Sequence, residues 1–68
     1  MNKLRETRVV KKISQFQLRV LTGIHQSKIS VIENGLIQPR DDEREKLARA
    51  LGARVEELFP AEGIKEGV

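Results

Sequence analysis

The side chains in this sequence that can do chemistry are mostly hydrogen-bonding groups, not reactive ones. There is one histidine, His25, and no cysteine. The carboxylates are scattered over polar stretches, so no acid, base and nucleophile share a spacing that converges on a substrate. The glycines make no phosphate-cradling pattern. Without cysteine there is neither a disulfide framework nor a thiolate zinc site, and His25 alone makes no metal site. The expectation is therefore a non-enzyme with no cofactor and no metal. What the chain does offer is a run of donors and acceptors, Gln26, Ser27, Lys28 and Ser30. A glutamine amide donates and accepts at once, which matches the N6 and N7 edge of adenine, and a lysine ammonium donates to O6 or N7 of guanine. The serine hydroxyls suit several bases and so discriminate less. Val31 is either too far along to reach the bases or meets a thymine methyl. Set on one exposed face these residues read base edges; otherwise they are a solvated polar surface.

Whether they share a face depends on the elements around them. Ser14 and Gln17 form the S-x-x-Q pattern of a capping box, which predicts a helix start at Ser14. Leu18 and Leu21, at i and i+3, are expected on its buried side, and Gly23 ends it by taking the left-handed conformation. Thr22 to His25 is the turn. A second helix is predicted from about Gln26 to Asn34, with Ile29 and Ile32 toward a core and Asn34-Gly35 as the stop. Ser14 to Gly35 thus reads as two short helices on a tight turn, with the polar run facing outward.

The remaining segments read as support. Lys3 to about Lys11 favours helix, with Leu4 and Arg8 one turn apart. Leu36 to Arg40 is a loop whose Pro39 bars helix at Gln38, and Arg40 is placed to reach a nucleic-acid backbone. A further helix starts near Pro39 or Asp41. Asp41, Asp42 and Glu43 complement its dipole, Leu47, Ala48, Ala50 and Leu51 are its apolar residues, and Gly52 is its end. Val55 to Phe59 makes one more short helix, stopped by Pro60, with Val55, Leu58 and Phe59 closing the core. Ala61 to Val68 has no periodicity. The prediction is an all-α, five-helix domain over residues 1–60 and a flexible tail over 61–68.

With 68 residues only one small domain is expected, and it buries roughly 60% of its unfolded surface. No apolar run approaches the ~20 residues needed to span a bilayer, and the N-terminus lacks the apolar segment of a secretory signal, so a cytoplasmic protein is expected. Charge is uneven along the chain. Residues 1–40 hold eight Lys and Arg against two Asp and Glu, while residues 41–68 hold five against eight, so +6 and −3 give the net +3. A polyanion-binding face backed by an acidic one has this distribution, as does a surface that is simply basic at one end.

LRETR near the start, ISQ before the first motif helix, TGI at the turn, SKIS and IENG, then Pro39, KLARALG and EELF occur in the order found in a known family. From about Leu4 to Phe59 the chain resembles the phage-repressor family, the Cro and lambda-repressor-like (XRE-type) helix-turn-helix DNA-binding domains. The resemblance implies a compact bundle of about five helices whose second motif helix enters the major groove of double-stranded DNA. It implies a phosphate contact at Gln15, in the first turn of a helix whose N-terminal N–H groups suit an anion. Gln17 is either a second phosphate contact or is used by the capping box. It also implies a buried ion pair between Arg8 and Glu33, the alternative being that both side chains are solvated. His25 stands where the family favours a Ser or Thr cap, and it reads either as a phosphate contact when protonated or as an exposed residue without function. The sequence departs from the family at Thr7, usually apolar, at Lys12, usually glycine, and at Arg19, usually small so that the two motif helices can approach. Arg19 implies either splayed helices or a stem bent outward.

A single motif helix reads only a few base pairs, which leads to the expectation of a homodimer on half-sites about 34 Å apart. The resemblance points to Leu36, Ile37 and Phe59 as its surface. The function expected is a transcriptional regulator, a repressor on a short palindromic operator. Phe16 and Val20, four residues apart where the family is commonly polar, either fold back over a neighbouring helix or stay exposed as a contact for a protein partner. The latter suits the alternative of an antitoxin-type component that binds a toxin as well as DNA.

Overall fold

The computed structural model describes residues 2–60. Among them are five helices: α1 (Leu4–Val10), α2 (Gln15–Thr22), α3 (Gln26–Glu33), α4 (Asp41–Leu51) and α5 (Val55–Leu58). The expected tail, 61–68, lies outside the described residues. Each helix places at least one side chain in a common core, and the fully buried ones are Leu4, Leu18, Ile29, Ile32, Leu47 and Leu58. α2 packs on both α3 and α4, and α4 packs on α5.

The helix ends explain why so short a chain holds its shape. α2 starts on the expected capping box: Ser14 Oγ accepts from the Gln17 N–H at 3.0 Å, and Gln17 Oε1 accepts from the Ser14 N–H at 2.8 Å. These two bonds satisfy N–H groups that have no partner inside the helix. Gly23 ends α2 at φ +78°, as its position predicts. The start of α1 is fastened in a way the sequence did not announce. Asn2 Oδ1 accepts from the Leu4 N–H at 3.0 Å while its Nδ2 donates to the Ile32 carbonyl at 2.8 Å. Next to it the Lys3 N–H donates to the Leu58 carbonyl at 2.8 Å. The first helix is thereby tied to the ends of α3 and α5 through the carbonyls of Ile32 and Leu58.

One expectation about α2 is corrected, and one alternative is decided. Leu21 was expected beside Leu18 on the buried face, yet it is 59% exposed, and the second buried residue is Thr22. Three residues rotate a helix by −60° and four by +40°, and α3 and α4 lie on the +40° side, where Thr22 points. Nor does Phe16 fold back over a neighbour. It is 57% exposed and Val20 is 67% exposed, because both project opposite the Leu18 face.

Candidate nucleic-acid interface

The turn between α2 and α3 is closed by Thr22. Its Oγ1 donates to the Leu18 carbonyl at 2.7 Å and accepts from the Ile24 N–H at 3.1 Å, while the Gly23 N–H donates to the Arg19 carbonyl at 2.7 Å. Ile24, buried just beyond the glycine, anchors the turn from below. This leaves α3 held at its N-terminal end by a short connection in which the Gly23 and Ile24 N–H groups are both bonded.

Its C-terminal end is held by Glu33, a carboxylate 3% exposed. Arg8 Nε donates to Glu33 Oε2 at 2.6 Å and Arg8 Nη2 approaches Oε1 at 3.4 Å, the forked arrangement that suits a guanidinium to a carboxylate. Gln15 Nε2 donates to Oε1 at 3.0 Å, and Arg8 Nη1 donates to the Ile13 carbonyl at 2.9 Å. One buried acid therefore joins α1, the loop before α2, the first turn of α2 and the end of α3. The loop itself has Lys12 in the left-handed region, φ +60°, where the family's usual glycine sits without steric cost.

Held at both ends, α3 turns Ile29, Ile32 and Glu33 inward. The opposite side of the cylinder carries Ser27, Ser30 and Val31, while Gln26, at the same azimuth as Glu33, is exposed because it stands at the open N-terminal end of the helix. Gln26 and Ser27 are exposed, and Ser30 and Val31 are half-buried. Lys28 lies off this face. Its Nζ donates to Glu43 Oε2 at 2.6 Å, and the acid is 7% exposed against 37% for the lysine side chain. The other oxygen of Glu43 accepts from the Arg40 N–H at 2.9 Å, capping α4. The Lys28 hydrogen bond, followed by that of the Arg40 N–H, holds the Glu43 carboxyl below the usual glutamate value, against the opposing effect of burial. No feature of the sequence marked Glu43 for this; its place in the first turn of α4 read only as dipole complementation.

The other sequence-predicted residues lie around this face. Gln17 gives its oxygen to the capping box, so its amide N–H groups remain for another acceptor. Gln15 shares its amide with Glu33. Arg40 is exposed, with Nε 3.3 Å from Asp42 Oδ1. His25 holds the cap position of α3 by backbone alone, without a side-chain bond to the helix. Arg19 is exposed, which leaves α2 and α3 free to pack closely. Among the described residues no group of acids and histidine is arranged to hold a metal ion, and no helix is long and apolar enough to cross a membrane.

Two short helices on a bonded turn, the second with its inner side in the core and its outer side polar, define a helix-turn-helix DNA-binding domain of the lambda-repressor-like kind. A helix-turn-helix domain family model matches residues 2–59, and the chain belongs to that family. No curated protein matches the chain. Membership makes DNA the ligand to consider, and Gln26 and Ser27 are the exposed side chains in the first turn of α3.

Proposed function

We propose that the domain is a sequence-specific regulator of transcription, a repressor that occupies a short palindromic operator as a homodimer. The observation that carries this reading is the outer side of α3. Gln26 and Ser27 are exposed on a helix anchored at both ends, so base-reading groups are presented without a large ordering cost. Gln26 reads adenine, and Ser27 and Ser30 make the less discriminating contacts, with Val31 against a thymine methyl. Gln15 and Gln17, at the positive end of α2, and Arg40, in front of α4, bond phosphates and fix the register. Lys28 reaches a base only by leaving Glu43. The exposed Leu36 and Ile37 supply the contact between two copies. Phe59 packs against the core and contributes less to that surface.

Selection of bound sequences from a random duplex pool tests the reading, followed by binding of the winner across a salt series. The selected site is expected to be a two-fold repeat, and log affinity falls against log salt with a slope of about −0.9 per phosphate contacted. Gln26→Ala relaxes preference at one position, while Arg40→Ala weakens all duplexes alike. Equal losses on every duplex for both substitutions would refute this division of roles.

A second reading, an antitoxin-type component that also binds a protein, is favoured by one observation. Phe16, Val20 and Leu21 are exposed on the side of α2 away from the core, and a groove of about 230 Å³ lined by Ile13, Gln17, Val20 and Leu21 runs beside them. Co-expression with a neighbouring gene product that purifies in fixed stoichiometry, and is lost from Phe16→Glu while DNA binding remains, supports it. A chain that purifies alone counts against it.

A further inference from the structure

We infer that Lys28 is a positioning residue and not a base reader: its ammonium locks the first turn of α3 to the start of α4 through Glu43, and so fixes how the reading face meets the groove. The inference rests on the DNA-binding reading above and adds a specific role within it. Lys28 sits in the first turn of α3, where the partial positive charge of the helix end disfavours a cation. A lysine there needs a compensating anion, and Glu43 is that anion. The Nζ to Oε2 distance is 2.6 Å and the acid is nearly covered. Glu43 has no oxygen to spare. Oε1 is taken by the Arg40 N–H at 2.9 Å, and Arg40 Nη2 stands 3.9 Å from Oε2. If Lys28 swung out to a guanine, a buried carboxylate would lose its closest cation while gaining nothing from the groove. The backbone of Glu43 is fixed as well, because Leu47, one turn along α4, is fully buried. The pair therefore ties the N-terminal half of α3 to α4, as Arg8 and Glu33 tie its C-terminal half to α1. Of the side chains in the first turn of α3, Gln26 and Ser27 remain for DNA.

The test compares Lys28→Met, Glu43→Gln and the double variant, with binding measured on a full set of single-base variants of the selected duplex and stability measured without DNA. Lys28→Met is expected to lower affinity for every duplex by a similar factor, about tenfold, with an unchanged base-preference profile. Glu43→Gln is expected to do the same although it removes no cation, the double variant to lose little more than either single one, and Lys28→Arg to restore binding. A profile that relaxes at one base pair in Lys28→Met, with Glu43→Gln binding at least as well as the native chain, makes Lys28 a reader and overturns the inference. Native affinity in the folded fraction of Lys28→Met overturns it too, since the pair would then serve stability alone. The stability cycle is independent of DNA: strictly additive losses show that the two side chains are not coupled, and the inference falls. A native chain that prefers no duplex sequence sinks the DNA-binding reading, and the positioning role with it, even where the cycle shows coupling.

Discussion

At the scale of single residues, two positions carry costs that their partners or neighbours do not remove equally. Lys12 takes φ +60° to leave α1, a conformation that costs an L-residue about 1–2 kcal/mol. Lys12→Gly removes that strain and loses part of the gain to a freer unfolded chain, so chemical denaturation is expected to show a net stabilisation of about 0.5–1 kcal/mol. An unchanged or lower midpoint would mean that Lys12 makes compensating contacts. Glu43 is the opposite case, a buried charge fully met by its partners. Its folded value is depressed below the ordinary 4.5, so its contribution is present above the unfolded value and is lost as pH falls through the folded one. Thermal melts of the native chain should thus drop on acidification below about 4.5, and those of Glu43→Gln should start lower and change less over that interval. Neither the Lys28–Glu43 pair nor the Asn2 bridge was legible in the sequence, because each joins residues whose approach depends on how separate helices cross. Arg8 and Glu33 came into view only through the family resemblance, for the same reason.

Elements were more legible, since their signals are local. The Ser14–Gln17 box, Gly23 and Gly52 end or begin helices where the sequence places them, and every predicted helix exists within a residue or so of its expected bounds. The face of a two-turn helix was less so: Leu18 with Leu21 and Leu18 with Thr22 are equally good stripes, and only the positions of α3 and α4 choose between them. That choice is testable. Leu18→Ala empties a fully buried site and should cost about 2–5 kcal/mol, whereas Leu21→Ala should stay within about 0.5 kcal/mol. Comparable losses would place Leu21 in the core after all. Gly23→Ala tests the turn in the same way. Nothing lies within 4 Å of the added methyl, so the loss of about 1–2 kcal/mol comes from the left-handed backbone alone. The polar bonds of Thr22 then predict a further element-level effect: Thr22→Val keeps the shape but leaves the Ile24 N–H without its acceptor, at about 1–3 kcal/mol.

For the whole molecule, the question is how a domain of this size stays folded while presenting a polar face to a polyanion. Among the described residues the large side chains that are fully buried number six, and a domain of about 60 residues is stable by roughly 3–9 kcal/mol. A core truncation such as Leu47→Ala, at about 2–5 kcal/mol, therefore brings it close to unfolding. On the proposed function, folding and DNA binding are linked, because α3 is presented only when both of its ends are anchored. A ligand at 100 times its dissociation constant stabilises the folded state by about 2.7 kcal/mol, which in a domain this small raises the melting temperature by roughly 10 °C or more. Leu47→Ala is accordingly expected to melt at low temperature alone and to regain most of that loss with the selected duplex. A duplex of scrambled sequence should restore less, and the difference should persist at higher salt, where the phosphate contribution fades first. Equal rescue by both duplexes at all salt concentrations would show that charge alone, from the +6 of residues 1–40, accounts for the binding. In that case the outer side of α3 would have no part in choosing a sequence.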